Sequence, residues 1–261
     1  MLAEPTAAAG RGQPSPQTAS TPRSLTAAVA DVADLSRADR WRMYAIYQAH
    51  YDATSWARFE ADLDDKMCVV LVRNDGGAIQ GFTTLSILET SLHGARIRAI
   101  YSGDTIIDRE YWGSQQLAFT WIRLAGSIKA LEPQTPLYWF LIVKGHRTYR
   151  YLSAFSETFY PHWAYETPPA TRALMDHLGA MRFAEFYRPV LGVIQFPESR
   201  GHLNAQLAAI SPAETQRADV AFFLARNPGY AAGDELLCLT ELCADNLRPH
   251  ARRHFLEGFR K

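Results

Sequence analysis

The stretch ARIRAIYSGDTIIDREYWGSQQLAFTWIRLAGSIKAL, residues 95–131, decides the fold, because it joins an extended segment to a helical one through a short turn. Residues 95–107 are rich in β-branched side chains and predict a strand. Four large apolar residues then recur at helical spacing and predict an amphipathic helix: Leu117, Trp121, Leu124 and Ile128. A helix that directly follows a strand presents unsatisfied backbone N–H groups at one point, where an anion can bind.

The turn between these two elements, DREYWGSQQ at residues 108–116, contains a single glycine, Gly113. Turns that cradle phosphates are usually rich in glycine. Gly113 can adopt a positive φ, and Ser114, Gln115 and Gln116 add polar side chains at the same point. Two interpretations stay open: a site for a pyrophosphate or phosphopantetheine group, or an ordinary turn between a strand and a helix.

Upstream of this stretch, residues 67–88 contain two β-rich runs joined by Asn-Asp-Gly-Gly, which predicts a hairpin. Residues 24–52 predict one or two helices, with Ser36 as an N-cap. Residues 54–66 predict a further short helix, whose acidic end is expected to face water.

Downstream, PLYWFLIV at residues 136–143 is almost continuously apolar and predicts a buried strand. The remaining pattern predicts helices within residues 146–159 and 168–183 and a strand over residues 187–196. The end of the chain predicts a helix over residues 212–226, a strand over 235–242 and a last helix that runs to the C-terminus.

The composition bounds the class of protein. Lys plus Arg and Asp plus Glu each number 27 in 261 residues, so no general affinity for nucleic acid is expected. The N-terminus lacks an apolar signal region, and no apolar run reaches the roughly 18 residues of a membrane span. We therefore expect a cytoplasmic protein that is not integral to a membrane.

Three regions are expected along the chain. Residues 1–23 are rich in Ala, Pro, Ser and Thr and predict a disordered tail. Residues 24–197 predict the main domain, and residues 198–261 predict a C-terminal extension that packs on the same domain. A homodimer is compatible with this organisation.

A small set of Cys and His residues near the C-terminus does not predict a metal site. Cys238, Cys243, His250 and His254 follow the spacing C-x4-C-x6-H-x3-H. Zinc fingers place a loop of about 12 residues where this chain has six. Cys238 also lies in an apolar strand, where it suits the role of a small hydrophobic residue, so no metal is expected.

The order of helix, helix, hairpin, strand, turn, helix, strand, helix, helix and strand, with TIIDREYWGSQQLAFTWIRLA at its centre, resembles the GNAT superfamily of N-acyltransferases. The resemblance covers roughly residues 37–196. It implies an α/β (α+β) fold: a mixed central sheet with helices on both faces, here followed by a C-terminal strand and helix.

The resemblance extends to one signature position. In that family the turn reads Gln/Arg-x-x-Gly-x-Gly/Ala, and EYWGSQ at residues 110–115 matches its first glycine at Gly113. Glu110 and Gln115 replace the other two positions, and a carboxylate at Glu110 would repel a pyrophosphate if it pointed inward. The departures resemble the long-chain acyl and autoinducer-synthase branch, which implies an acyl carrier protein as an alternative donor to acyl-coenzyme A.

The resemblance also implies a binding site for the thioester donor, either acyl-CoA or an acyl-phosphopantetheine. The strand before the turn would pair with the pantetheine arm, and the turn would hold the phosphate. The residues so assigned are Ile106, Ile107, Trp112, Gly113, Ser114, Gln115 and Gln116.

Two features of the central strand point to chemistry. Gly103 lies in mid-strand and indicates a β-bulge. Asp104 is an ionisable residue in an otherwise apolar strand, where it could accept a proton from an amine or hold an ammonium group. Pairing with an arginine such as Arg98 at the strand edge is an equal alternative.

The resemblance implies a tyrosine that protonates the leaving thiolate, near the start of the helix after the next strand. That region offers Tyr149 and Tyr151; we assign the role to Tyr149, with His146 as a general base. Two alternatives stay open: Tyr149 belongs to an apolar stripe with Leu152, Phe155 and Phe159, and His146 caps the helix or lies at the surface.

Together these residues predict an N-acyltransferase that moves an acyl group from a thioester to a primary amine of a small molecule or peptide. The alternative is a binding module with the same fold and no catalytic activity, which the missing signature residues motivate.

Overall fold

The computed structural model describes residues 24–260, so the tail expected over residues 1–23 lies outside the described part of the chain. The strands in this part are Leu25–Asp31 (β1), Tyr51–Asp52 (β2), Cys68–Asn74 (β3), Ile79–Leu92 (β4), Ala95–Ile107 (β5), Leu137–Val143 (β6), Tyr187–Arg188 (β7), Val193–Ile194 (β8), His202–Leu203 (β9) and Glu235–Glu241 (β10). The α-helices are Arg37–Gln48 (α1), Trp56–Asp64 (α2), Gln116–Leu131 (α3), His146–Phe155 (α4), Pro169–Phe183 (α5), Ala205–Ala208 (α6), Pro212–Thr215 (α7), Ala218–Arg226 (α8) and Pro249–Phe259 (α9).

An eight-stranded mixed sheet forms the centre of the fold, in the order β1-β3-β4-β5-β6-β10-β8-β7. Strands β1 to β5 in this sheet pair antiparallel, whereas β5 and β6 run parallel and are joined by α3. One apolar cluster packs α3, α4 and α9 against one face of the sheet, and two others pack α1, α2 and α5 against the opposite face. The expected mixed α/β class, with helices on both faces, is confirmed.

The first segment differs from its prediction. Residues 25–31 form the edge strand β1, which pairs along its whole length with β3, where a helix was expected. The alanines of this segment favour a helix by intrinsic propensity, but the hydrogen bonds available at the edge of β3 override that preference. The predicted N-cap is confirmed, because the Ser36 hydroxyl accepts a hydrogen bond from the Asp39 N–H at 3.1 Å.

Two later elements that were predicted as continuous are each divided in two. The strand expected over residues 187–196 is divided into β7 and β8 by a turn that ends at Gly192, whose φ is 72°. The helix expected over residues 212–226 is divided into α7 and α8. A capping box between Ser211 and Glu214 opens α7 as a separate turn.

The C-terminal strand and helix take central positions. Strand β10 lies between β6 and β8 and pairs antiparallel with both. Helix α9 packs along α3, and the pyrrolidine of Pro249 occupies its first position. The end of the chain therefore braces the helix that follows the decisive turn.

Within residues 24–260, no helix has both the length and the apolar composition required to cross a bilayer.

Candidate active site

A gap opens between the two parallel strands at the centre of the sheet. Strand β5 pairs with β6 from Arg98–Leu137 to Ser102–Leu141, where the pairing ends. Its other edge stays paired with β4 as far as Ile107, opposite Gly81. The second half of β5 therefore presents an edge to the gap that β6 no longer covers.

A β-bulge lies where this gap begins, as Gly103 predicted. Ser102 pairs with Leu85 and Thr105 with Thr83, so Gly103 and Asp104 together face Thr84. A Cβ atom at position 103 would lie 2.4 Å from the Thr84 hydroxyl oxygen, which explains the glycine. The extra residue changes the alternation of side chains, as bulges do, and places Asp104 on the face opposite Ser102.

Two cavities meet at the gap. The larger, of about 490 Å³, lies on the face of α2 and α5, and the smaller, of about 40 Å³, lies on the face of α3 and α4. The two cavities share four lining residues: Gly103, Thr105, Ile142 and Thr148. A group that enters between β5 and β6 from one face would thus reach a group bound on the other.

Asp104 lines the larger cavity beside this junction. No side chain in residues 24–260 forms a hydrogen bond or ion pair with its carboxylate, so the alternative of a pair with Arg98 is not realised. Burial, followed by the negative charge of Asp62, raises the pKa of Asp104 to about 7 against the opposing influence of Lys144 and Lys66. A carboxylate with this pKa can exchange a proton near neutral pH.

Two lysine–carboxylate pairs flank Asp104, and the sequence reasoning missed both. Lys144 Nζ lies 3.6 Å from Glu235 Oε1, and burial raises the pKa of Glu235. Lys66 Nζ lies 2.8 Å from an Asp62 carboxylate oxygen, and the lysine side chain is fully buried. The acidic end of α2 is exposed, as expected, and its carboxylates at Asp62 and Asp65 also line the larger cavity. A lysine directly after the apolar strand β6 was the one available sequence signal.

An aromatic wall encloses the same cavity. Tyr47, Tyr51 and Tyr101 line it, and the Lys144 Nζ lies 5.3 Å from the centre of the Tyr51 ring. Burial raises the pKa of all three tyrosines, so they stay protonated at neutral pH and can donate hydrogen bonds.

His146 is the first residue of α4, but its side chain points away from the junction. It is buried, and its Nε2 lies 3.4 Å from a carboxylate oxygen of Glu214 in α7. Burial lowers the pKa of His146, and the ring is not part of the lining of either cavity. This position does not support the expected role as general base; the ring joins α4 to α7 instead.

Tyr149 also lies outside both cavities. Its side chain is fully buried, its hydroxyl donates to the Pro161 carbonyl at 2.8 Å, and Phe159 and Phe223 surround it. This position favours the alternative in which Tyr149 belongs to the apolar core over a role at the leaving thiolate. Tyr151 is 39% exposed and lines the smaller cavity with Thr148 and Phe155, which lie on the same face of α4 at helical spacing.

The turn at residues 108–116 adopts a defined conformation. Arg109–Tyr111 form a single 3-10 turn, and Gly113 has a φ of 93°, which favours glycine. The Gln115 amide donates to the Gly113 carbonyl at 3.3 Å, so this side chain folds back on the loop. No side-chain hydrogen bond from Gln115 caps the helix.

The other residues assigned to the donor surround this turn. The Trp112 indole N–H donates to the Ile107 carbonyl at 2.9 Å, and the Trp112 ring is 51% exposed. Ile106 is buried against α1 and α2, so only its backbone can face the gap. Ser114 Oγ accepts from the Gln116 N–H at 3.4 Å. One turn further along α3, Leu117 and Ala118 line the smaller cavity.

The C-terminal Cys and His residues are dispersed. Cys238 is buried in β10, whereas His254 in α9 stacks on Phe119 and contacts Glu257 at 3.0 Å. Among residues 24–260 no three His, Cys, Asp or Glu side chains are arranged to hold a metal ion.

No protein-family model and no curated protein matches this chain. Among solved structures it is similar to a probable N-acyltransferase from Enterococcus faecalis (16% identity, TM-score 0.39, over 52% of this chain and 33% of that one). The chain thus spans about a third of that protein. It is also similar to a GNAT family N-acetyltransferase from Escherichia coli in complex with CoA (15%, 0.36, 52% and 72%) and an acyl-CoA N-acyltransferase from Pseudomonas aeruginosa (16%, 0.34, 52% and 91%). These similarities are distant, and each name describes the solved protein and not the present chain.

Proposed function

We propose that the protein is an N-acyltransferase that moves an acyl group from a thioester to a primary amine. The observation that carries this proposal is the position of Asp104, a carboxylate with a pKa of about 7 beside the junction of two cavities on opposite faces of the sheet. The smaller cavity would take the thioester and the larger one the amine. This arrangement would bring the two reactants together at Gly103.

The proposed reaction has three steps. The amine nitrogen attacks the thioester carbonyl carbon, which forms the C–N bond, while Asp104 accepts a proton from the amine. Backbone N–H groups on the uncovered edge of β5 would stabilise the oxyanion. The C–S bond then breaks, and the thiolate takes a proton from Tyr151, whose side chain lines the smaller cavity. The products are an amide and a free thiol.

The donor would approach along the first turn of α3. Its phosphate would face the first turn of α3, just beyond Gly113, where the helix dipole favours negative charge. The pantetheine arm would follow the open edge of β5 toward Ile107. The donor is either acyl-CoA or an acyl-phosphopantetheine on a carrier protein, and the acceptor is an amine of a small molecule or peptide.

Tyr151→Phe tests the proton donor. We expect kcat to fall about 10- to 100-fold, because the phenol that protonates the thiolate is removed. The matched control is Tyr149→Phe, which loses the buried hydrogen bond to Pro161 and should cost about 1 kcal/mol of unfolding free energy with kcat nearly unchanged. Steady-state kinetics and urea denaturation measure both effects. If Tyr149→Phe lowered kcat and Tyr151→Phe did not, the assignment would be reversed.

Gly113→Ala tests the donor turn. A non-glycine residue at a φ of 93° is strained, so we expect the turn to change its conformation and the free energy of donor binding to weaken by roughly 1–2 kcal/mol. Nothing lies within 4 Å of the added Cβ, so the effect is conformational rather than steric. Titration calorimetry with coenzyme A and with pantetheine phosphate measures it. Unaltered affinity for both compounds would show that the turn does not bind the donor.

The function itself is tested by incubating the full chain with acyl thioesters of increasing length and a mixture of primary amines. We expect thiol release that depends on the amine, with the amide identified by mass spectrometry. The absence of both thiol release and any thermal shift with coenzyme A or pantetheine compounds would refute the proposal.

A second function, a binding module without catalysis, is favoured by the small volume of the cavity on the donor side, about 40 Å³. It predicts that donor compounds or amines bind and that no thiol is released. The same incubation, followed by calorimetry, separates the two functions.

A further inference from the structure

The larger cavity carries an uneven distribution of charge. Its carboxylates near the bulge are accompanied by lysines, as Glu235 is by Lys144. Of its arginines, Arg182 forms an ion pair with Asp65 beside the Tyr101 ring. Most charged side chains at the inner end and on one side of the cavity are therefore paired with a residue of opposite charge.

Two arginines at the outer rim remain without such a partner. Within residues 24–260, no carboxylate forms an ion pair with Arg58 or Arg200, although the exposed Glu185 lines the same cavity. Arg58 Nη1 donates to the Ser199 carbonyl at 2.9 Å, which brings it beside the next residue, Arg200. Both guanidinium groups keep N–H donors that no group within residues 24–260 accepts from.

Arg200 is held in place by aromatic rings rather than by a carboxylate. Its guanidinium lies 4.1 Å from the centre of the Phe196 ring and 4.9 Å from that of Phe186. Stacking of this kind orders the planar guanidinium while its edge stays free to donate. The rim therefore presents an ordered pair of cations toward the cavity.

Charged residues of opposite sign lie at different distances from the bulge along one face of α2. Arg58 and Asp62 lie four residues apart on one face, so Arg58 stands about 6 Å further along the helix axis. Asp62 pairs with Lys66, whose Cε lies 3.0 Å from the position of a Cβ at Gly103. Among the described lining residues, Asp104, a carboxylate without a paired lysine or arginine, thus lies near the bulge, and the two arginines without a paired carboxylate lie at the rim.

We infer that the acceptor carries an anionic group, a carboxylate or phosphate, at the end remote from its amine, and that Arg58 and Arg200 bind this group. The inference rests on the proposed function for the direction of the amine, which lies toward Asp104. An apolar or aromatic body would fill the space between, because seven aromatic residues line the cavity: Tyr47, Tyr51, Phe59, Tyr101, Phe183, Phe186 and Phe196. An acidic group on such an amine would find its only unpaired cations, among the described lining residues, at the rim.

Three amines with one aromatic body test the inference: benzylamine, para-(aminomethyl)benzoate and para-(aminomethyl)phenylphosphonate. Calorimetry with the full chain measures their dissociation constants, and thiol release measures kcat/KM. We expect the two acidic amines to bind about tenfold more tightly than benzylamine, since each guanidinium adds a charge-assisted hydrogen bond. The carboxylate and phosphonate probes distinguish the two sources of negative charge.

The double variant R58Q/R200Q should bring the ratio of acidic to neutral amine affinity close to one. The matched control R253Q removes an exposed arginine of α9 and should keep the tenfold ratio. Equal binding of all three amines to the wild type, or a preference that survives in R58Q/R200Q, would overturn the inference. Calorimetry decides this even without turnover, whereas failure of the proposed function would appear as absent thiol release with every amine.

Discussion

Asp104→Asn is expected to lower kcat/KM by about 10²- to 10⁴-fold, the range that a general base contributes. The substitution keeps the size of the side chain and removes its ability to accept a proton. Its neighbours Lys144 and Glu235 remain in place, so the loss would report on the carboxylate itself. Asp245→Asn, at a carboxylate that is 96% exposed, is the matched control and should leave kcat/KM unchanged.

The pH dependence follows from the raised pKa of Asp104. Only the carboxylate accepts a proton, so kcat/KM of the wild type should rise with pH through about 7 and level off above it. Ionisation of the amine adds a rise at higher pH that wild type and variant share. The inflection near 7 should be absent from Asp104→Asn. An inflection that persists in the variant would assign the general base to another group.

The pH dependence of the unfolding free energy tests the raised pKa of Asp104 without any turnover. The pKa of Asp104 is raised from 3.8 to about 7 in the folded state, so the neutral carboxyl stabilises the fold. That contribution is complete below pH 3.8 and is lost as the pH rises through 7. At pH 8 the unfolding free energy of Asp104→Asn should therefore exceed that of the wild type by roughly 1–3 kcal/mol, and at pH 5 the difference should be smaller. Urea denaturation at the two pH values measures it.

Local patterns in the sequence predicted most of the elements that build the centre of the sheet. The Asn-Asp-Gly-Gly turn predicted the hairpin of β3 and β4, the apolar run at 136–143 predicted β6, and Gly103 predicted the bulge. These signals are local, because periodicity and turn residues report on the chain within a few positions. The edge strand β1 escaped them because its alanine-rich pattern favours a helix, while its pairing partner lies some forty residues away.

The candidate site was predictable only where its residues lie on one element. Asp104 lies beside the bulge glycine and could be singled out from the strand alone. Glu235 meets Lys144 because β10 inserts next to β6, and no local pattern predicts that insertion. Tyr149 and Tyr151 differ by two positions on α4, and the rotation of that helix about its axis, set by tertiary packing, decides which one reaches the cavity.

Gly126→Ala and Gly258→Ala are each expected to destabilise the fold by about 3 kcal/mol. In the contact between α3 and α9, a Cβ at Gly126 would lie 1.9 Å from the Phe255 carbonyl oxygen, and one at Gly258 would lie 1.8 Å from that of Arg123. These neighbours are backbone atoms, so the two helices would have to separate. The Ser127 hydroxyl, which donates to the Gly258 carbonyl at 3.1 Å, would lose this acceptor on α9 if the helices separated.

Helix propensity makes the sign of this prediction informative. Alanine in place of glycine inside an isolated helix stabilises it by about 1 kcal/mol, so propensity alone predicts the opposite result. Gly76→Ala, in the exposed β3–β4 turn, has only the Asn74 side chain at 3.5 Å and should change the unfolding free energy by less than about 0.5 kcal/mol. Urea denaturation compares the three variants. Stabilisation by both helix substitutions would show that α9 does not clamp α3. Destabilisation should instead be accompanied by weaker donor binding, because α3 begins at the turn that would hold the donor phosphate.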